Sequence, residues 1–406
     1  MIISTRDPIK SKPTQEKLQE VNIKAKEAFD RKEFKTAISL FESIDLPKDL
    51  LPNLAKCYYY SKNASKALDL ILPLDKDIEL NIDYALYLNA LGRHQEAFEI
   101  YKTLDQTYDK VLFNSGWHDL QNDNFTEGFR KLQYGAQLRA WGNEYSLLEN
   151  LLINKQDRWT GEHCNHLALI LEGGLGDQIN FLRWAAYLKT KCDKLTLVCH
   201  LDLLRLLINA GYDAVPYING LEYDKYVPAM SLPDILKIEY PTQYVKFPYI
   251  HTYEEPFIKK SMDIFAKNSK KIGIKWFGNP HFEHDQFRSL PKEKLKELSK
   301  YGKLFSFQFE DNDNDLLNLN AVITNWQDTY TVLKNLDYVV TSCTSIVHMA
   351  GAIGVKTYVL VPLMPYFVWA SDNLKWYPDN IVIIRQKEYD NWDSAFDELH
   401  KHLESE

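Results

Sequence analysis

From Leu167 onward, short apolar runs alternate with amphipathic stretches, and this rhythm narrows the possible folds more than any other feature of the 406-residue chain. LALILEGGLGDQINFLRWAAYLK reads as a buried strand, a glycine-rich turn and an amphipathic helix. LTLVCH (195–200) is predicted as a strand, LDLLRLLINAG as a helix closing at Gly211, and AVPYI as another strand. Pro241 to Pro256 is rich in proline and tyrosine and reads as a linker. The series then resumes. KIGIKWF (271–277), KLFSFQF, DYVVTS, KTYVLVP and NIVIIRQ are predicted strands, with LPKEKLKELSKYG, DTYTVLKNL and TSIVHMAGAIG as the helices between them. Strands separated by helices make a parallel sheet with helices on its faces. Two Rossmann-like lobes with a cleft between them are expected, with ligands at the carboxyl ends of the strands.

The first third has a different period. AISLF, ALDLI, AFEIY and GFRKL begin at Ala37, Ala67, Ala97 and Gly128, at intervals of 30, 30 and 31 residues. A small residue followed four places later by a large apolar one puts both on one helix face, which suits close helix crossing. Each small residue follows a turn-like stretch: DRKEF, YSKNAS, LGRHQ and QNDNF. The pattern resembles a tetratricopeptide array of about four helical hairpins; a generic helical bundle stays open as the alternative. The expected organisation is a helical-repeat region at 1–150, a first Rossmann-like lobe at 151–255 and a second at 256–406.

Composition removes several classes. The net charge of −8 gives no global positive field, which disfavours nucleic acid as a partner but leaves room for a local basic site for one diphosphate. Five cysteines, odd in number and without a CxxC pair, read as reduced thiols and not as a disulfide framework or a zinc site. The first residues are polar and no run reaches 18 apolar residues, so no transmembrane segment and a cytoplasmic location are expected.

Three constellations carry candidate chemistry. Gly173-Gly174-Leu175-Gly176-Asp177 begins like a dinucleotide fingerprint, but Ile179 stands at the third glycine position. An acid at a helix entrance repels phosphate, so the loop around Gly174 and Gly176 suits a neutral ligand better than a nucleotide, and on the local sequence alone Asp177 reads as a helix cap. After the strand ending near Trp276, Gly278-Asn279-Pro280 allows close backbone approach to a ligand, and Arg288 is positioned to clamp a diphosphate. The alternative is a surface loop with solvated charges, in which His281 and His284 are ordinary loop residues. In Thr341-Ser342-Cys343-Thr344-Ser345, a strand runs directly into a helix whose free N–H groups favour a diphosphate. His348, one turn on from Thr344 on the same face, is a ligand-side residue or a core histidine. The acidic run Glu310–Asp315 contains DxD patterns but lacks the glycine and terminal glutamate of a calcium loop, and reads as a solvated turn. No metal site and no cofactor are expected.

Taken together, NFTEGFRKLQYGAQLR, RWTGE (158–162), EGGLGDQINFLRWA (172–185), PAMSLP (228–233), KIGIKWFGNP (271–280), RSLP (288–291), TSCTSIVHMAGAIG (341–354), VPLMPYFVW (361–369) and KWYPDN (375–380) resemble proteins that couple tetratricopeptide repeats to a glycosyltransferase family 9 domain, the family of bacterial heptosyltransferases. The resemblance spans roughly 110 to 395 and implies a GT-B fold, with a nucleotide-sugar as donor substrate and an acceptor that is a glycan, a lipid-linked glycan or a protein. It implies inverting, metal-independent transfer with Asp177 as general base. It also implies a donor site at Gly278, Asn279, Arg288, Cys343, Thr344, Ser345 and His348. The family has Asp where this chain has Cys343, and that departure bears on the donor sugar. A repeat scaffold with inactive lobes and a nucleotide-sugar epimerase are the alternatives.

Overall fold

The structure, a computed structural model, describes residues 13–138, 155–217, 221–280, 282, 284–309, 313, 316–319, 322–371, 376–377 and 380–405. Residues 1–12 and 139–150 of the expected helical region, His281, and all of the acidic run except Asp313 lie outside these. The chain divides into two compact units, Met1–Asp105 and Gln106–Glu406.

The first unit contains three helical hairpins: α1 (Gln15–Asp30) with α2 (Phe34–Glu42), α3 (Leu51–Tyr60) with α4 (Ala64–Ile71), and α5 (Ile78–Ala90) with α6 (His94–Thr103). A fourth hairpin, α7 (Asp109–Gln121) with α8 (Phe125–Leu132), belongs to the second unit. The reason for the repeat lies in the turns. Each first helix ends on a left-handed residue: Lys32 (φ 60°), Lys62 (φ 63°), Gly92 (φ 76°) and Asp123 (φ 64°). The next amide reaches back to the helix, Glu33 N to Ala28 O (2.9 Å), Asn63 N to Tyr58 O (2.8 Å), Arg93 N to Leu88 O (2.9 Å) and Asn124 N to Asp119 O (2.8 Å). This closure satisfies carbonyls that a helix end leaves unpaired. Only Gly92 adopts the conformation without a Cβ penalty. Ala37, Ala67 and Ala97 are fully buried in the crossings, and a Cβ at Gly128 would collide with the Leu120 side chain.

The second unit holds two wholly parallel sheets. The first contains β1 (Cys164–Ile170), β2 (Cys192–Cys199), β3 (Asp213–Pro216) and β4 (Lys225–Pro228) in the order β3-β2-β1-β4. The second contains β5 (Lys271–Lys275), β6 (Lys303–Ser306), β7 (Leu317–Asn318), β8 (Tyr338–Ser342), β9 (Thr357–Val361) and β10 (Ile381–Arg385). Its order is β10-β9-β8-β5-β6-β7, so the strands step outward from β5 to one edge and from β8 to the other. That is the Rossmann order, with its topological reversal between β5 and β8.

The apolar alternation missed β4, whose four residues end in Pro228 and carry no period of their own. β5 stops at Lys275, two residues short of the expected end. There the ladder groups turn to other partners: Trp276 O accepts from Leu290 N (2.8 Å), and Phe277 N donates to Gln308 Oε1 (3.2 Å). The expected helix after Pro291 is a short one, Lys292–Lys296, followed by a 3₁₀ turn.

One continuous apolar core runs from Phe129 of α8 through Trp184 and Leu197 to Ile346 and Trp369. It joins the fourth hairpin and both sheets, and hydrophobic burial on this scale is what makes them one unit. A second core on the far face of the second sheet gathers Ile272, Ile274, Leu298 and Leu399. No helix among the described residues is long and apolar enough to cross a membrane.

Candidate functional site

In parallel α/β sheets, ligands bind beyond the carboxyl ends of the strands, where the strand order reverses. Here the first sheet reverses between β1 and β4, and the second between β5 and β8. The loops following β1, β5, β8 and β9 supply Asp177, Arg288, Thr344 and Tyr366. The helices Leu175–Phe181 and Ser345–Ile353, which open after β1 and β8, pack on each other at the lobe junction.

Asp177 is partly exposed and lies in the first turn of the helix Leu175–Phe181. Its Oδ2 accepts from Gly174 N (3.0 Å), closing the helix start, and its Oδ1 accepts from the Tyr366 phenol (2.6 Å). Gly173, at φ +77°, makes the turn that allows this. Burial of the carboxyl raises its proton affinity. The bonds from Tyr366 and Gly174 and the charge of Arg288 pull the other way. One Asp177 oxygen thus caps the helix, and the other is bonded to the second lobe.

Arg288 lies on the other side of the junction, 18% exposed. Its Nε donates to Asp285 Oδ1 (2.8 Å), and its Nη1 to the Cys343 carbonyl. That second bond bridges the loops after β5 and β8, across the reversal of strand order. Gly278 makes room for it: a Cβ there would overlap the guanidinium, and Gly278 N donates to the same Asp285 oxygen (3.0 Å). Phe282 covers the guanidinium at 4.9 Å. Asn279 is exposed at the tip of this turn.

The helix Ser345–Ile353 has no side-chain cap, because Thr344 Oγ1 pairs with Thr341 Oγ1 (3.2 Å). Its first-turn amides are the donors a helix start offers to an anion. Ser345 is partly exposed beside them, while Thr344 is buried. Cys343 lies in this loop but its thiol is turned inward, with Sγ 3.9 Å from Leu360 O. Burial pushes that thiol up to about 12. Cys343 thus meets the site through its carbonyl, not its side chain.

His348 and Gly176 take other parts. His348 is buried, with Nδ1 2.9 Å from the Tyr377 hydroxyl and its ring 5.2 Å from that of Trp369. Burial and the charges of Arg183 and Arg288 lower its pKa to about 3, so it is neutral at physiological pH. It is the core histidine of the two sequence readings. Gly176 faces it across the junction: a Cβ at Gly176 would lie 3.0 Å from His348 Cδ2 and 3.2 Å from Ser345 Cα. Gly176 therefore serves the close crossing of the two helices. Gly174 is the exposed member of that loop.

Four contributors escaped the sequence reading: Tyr366, Asp285, Asn180 and Arg183. The fully buried Arg183 donates from Nη1 to Trp376 O (2.8 Å) and from Nη2 to Asn180 Oδ1, which also accepts from Tyr377 (3.0 Å). This network joins the two lobes behind the site. Trp117 of α7 packs on the Tyr366 ring at 5.2 Å, so the fourth hairpin supports the phenol that holds Asp177. Tyr366 stands in VPLMPYFVW, 189 residues from its partner, and no local period signals such a pairing. At the one described position of the acidic run, Asp313 is partly buried and pairs with Lys292 (2.8 Å) and Lys296 (3.1 Å), so it is ion-paired there and not simply solvated as expected.

No protein-family model matches the sequence, and no curated protein matches it. Among solved structures, the chain is similar to the ADP-heptose LPS heptosyltransferase II of E. coli at 12% identity and a TM-score of 0.41, covering 59% of this chain and 99% of that one. It is similar also to a glycosyl transferase family 9 protein of Veillonella parvula at 11% identity and a TM-score of 0.42, covering 61% of this chain and 98% of that one.

Proposed function

We propose that the chain is a glycosyltransferase of GT-B type that moves a sugar from a nucleoside-diphosphate donor to an acceptor hydroxyl at the lobe junction. The observation that carries this reading is the convergence of Asp177 and Arg288. Asp177 lies in the first turn of a helix that packs on Ser345–Ile353, and Arg288 bonds the Cys343 carbonyl just ahead of that same helix. On this reading Asp177 accepts the proton of the attacking hydroxyl, and burial raises its affinity for that proton. The leaving diphosphate is met by Arg288 and by the amides at the start of Ser345–Ile353, an arrangement preorganised for negative charge. This needs no metal, and inversion follows from a single in-line displacement. The helical hairpins are read as tetratricopeptide-like repeats that present the acceptor, with the reaction on the cytoplasmic side.

A second reading, a nucleotide-sugar-binding scaffold without turnover, is favoured by one observation. The residue that stands for the family Asp is a thiol buried against Leu360, so it offers the donor no carboxylate.

A panel of nucleotide sugars, screened by thermal shift and then by release of free nucleoside diphosphate in the presence of candidate acceptors, separates the two. A donor that stabilises the protein and is consumed supports transfer. Stabilisation without consumption supports the scaffold, and stabilisation by no donor or nucleoside diphosphate overturns both.

A further inference from the structure

Away from the junction, the helix Pro256–Phe265 has apolar side chains on two faces. Ile258 and Met262 are buried and dock it on the second lobe. Phe257, Ile264 and Phe265 are 75%, 66% and 56% exposed. Phe257 and Ile264 are two turns apart on one face, with Lys260 between them. Docking explains the inner face only. Large apolar side chains grouped in the open mark an interaction surface.

The charge around this ridge opposes that of the chain. Residues 256–271 hold five lysines against one aspartate, in a protein of net charge −8. The aspartate, Asp263, pairs with Lys271. The two glutamates that precede the helix are also engaged: Glu255 with Arg205 (2.6 Å), and Glu254 with Lys259 (3.7 Å) and Asn335 Nδ2 (2.7 Å). Beyond Phe265 the surface opens into a basin of roughly 690 Å³ lined by Lys267, Lys270, Lys271 and Lys334, with Asp263 and Asp337 on its wall. The Asp337 carboxylate accepts from Lys271 N (2.6 Å).

We propose that this face of the second lobe rests on an anionic membrane surface. Phe257, Ile264 and Phe265 enter the boundary between headgroups and acyl chains, and Lys260, Lys267 and Lys270 lie at the level of the lipid phosphates. An apolar ridge flanked by lysines matches that interface, in which apolar burial and attraction to anionic headgroups add. The long lysine stems extend along the apolar layer while their ammonium groups stay in water. The ridge is the outer face of a single helix, which a fluid surface covers without a preformed groove.

Co-sedimentation of the full chain with vesicles tests this independently of any enzymatic reading. The vesicles are phosphatidylcholine alone or with one third phosphatidylglycerol, at low and high salt. Wild type is expected to bind the anionic vesicles and to be largely released as salt screens the lysines. The double variant Phe257→Ser, Ile264→Ser is expected to lose about tenfold or more in partitioning, the scale of two lost apolar insertions. Lys260→Glu with Lys267→Glu should lose a similar factor, at about fivefold per basic residue. All of these side chains are exposed, and melting curves matching wild type establish that the variants are folded. No binding by wild type, or equal binding by wild type and the Phe257/Ile264 variant, overturns the proposal. So does a Phe257-dependent dimer in sedimentation velocity, which assigns the face to a second copy of the chain.

Discussion

The Tyr366 phenol donates a 2.6 Å hydrogen bond to Asp177 Oδ1, joining a loop after β9 of the second sheet to a helix that follows β1 of the first. A hydrogen bond to the charged form of an acid lowers its pKa, here against the rise that burial imposes. Tyr366→Phe should therefore move the acidic limb of the turnover–pH profile to higher pH, with activity recovering on the alkaline side. Asp177→Asn should lower turnover by roughly two to four orders of magnitude at every pH, the reach of general-base catalysis. A uniform fall in Tyr366→Phe, without a shift of the limb, would mean that the phenol does not tune Asp177.

Gly176 and Gly174 lie in the same loop and predict opposite outcomes. A Cβ at Gly176 meets the neighbouring helix at 3.0 and 3.2 Å, whereas one at Gly174 meets only Asp177 Oδ2 at 3.4 Å. Gly176→Ala is expected to destabilise by about 1–3 kcal/mol, the cost of overpacking a rigid crossing. Gly174→Ala should be near neutral in urea unfolding.

What the sequence disclosed follows from how locally each feature is encoded. The helical hairpins were legible because Ala37, Ala67 and Ala97 sit at equivalent crossings. The left-handed turn residues repeat at the same interval, although Lys32 and Lys62 are poor signals for that conformation. The loops holding Asp177, Arg288 and Ser345 were legible because strand, turn and helix are contiguous there. Side-chain direction was not legible. Cys343 and His348 lie in the loop and the helix after β8, yet Leu360 and Tyr377 receive them, and those partners come from other segments. Arg183 was invisible for the same reason: its partner Trp376 is 193 residues away.

His348 gives a pH dependence of stability. Its pKa of about 3 in the fold lies below the ordinary 6.5, so between those values the unfolded chain binds more protons than the folded one. The neutral ring's contribution is thus complete above pH 6.5 and is lost as pH falls toward 3, by up to about 1.4 kcal/mol per pH unit. His348→Gln removes the titrating group, so its thermal midpoint should fall less steeply than that of wild type over this window. Parallel slopes would place the acid sensitivity elsewhere.

Arg288 offers the most direct test of the donor side. Its guanidinium is held by Asp285 and by the Cys343 carbonyl, beside a helix start without a side-chain cap. If a diphosphate binds there, Arg288→Ala should weaken it by about 1.5–3 kcal/mol, the range for a hydrogen bond to a charged group. Arg288→Lys should recover only part of this, since an ammonium keeps the charge but not the planar fork. Ser345→Pro complements these variants. It stands at the first helical position, where proline is tolerated, so it deletes one amide donor without breaking the helix. Calorimetry with a series of nucleoside diphosphates on Arg288→Ala, Arg288→Lys and Ser345→Pro should give graded losses, while the melting temperature of Ser345→Pro stays close to wild type. Unchanged affinity in both Arg288→Ala and Ser345→Pro would move the diphosphate away from the reversal between β5 and β8. The proposed transfer reaction would then lose its leaving-group site.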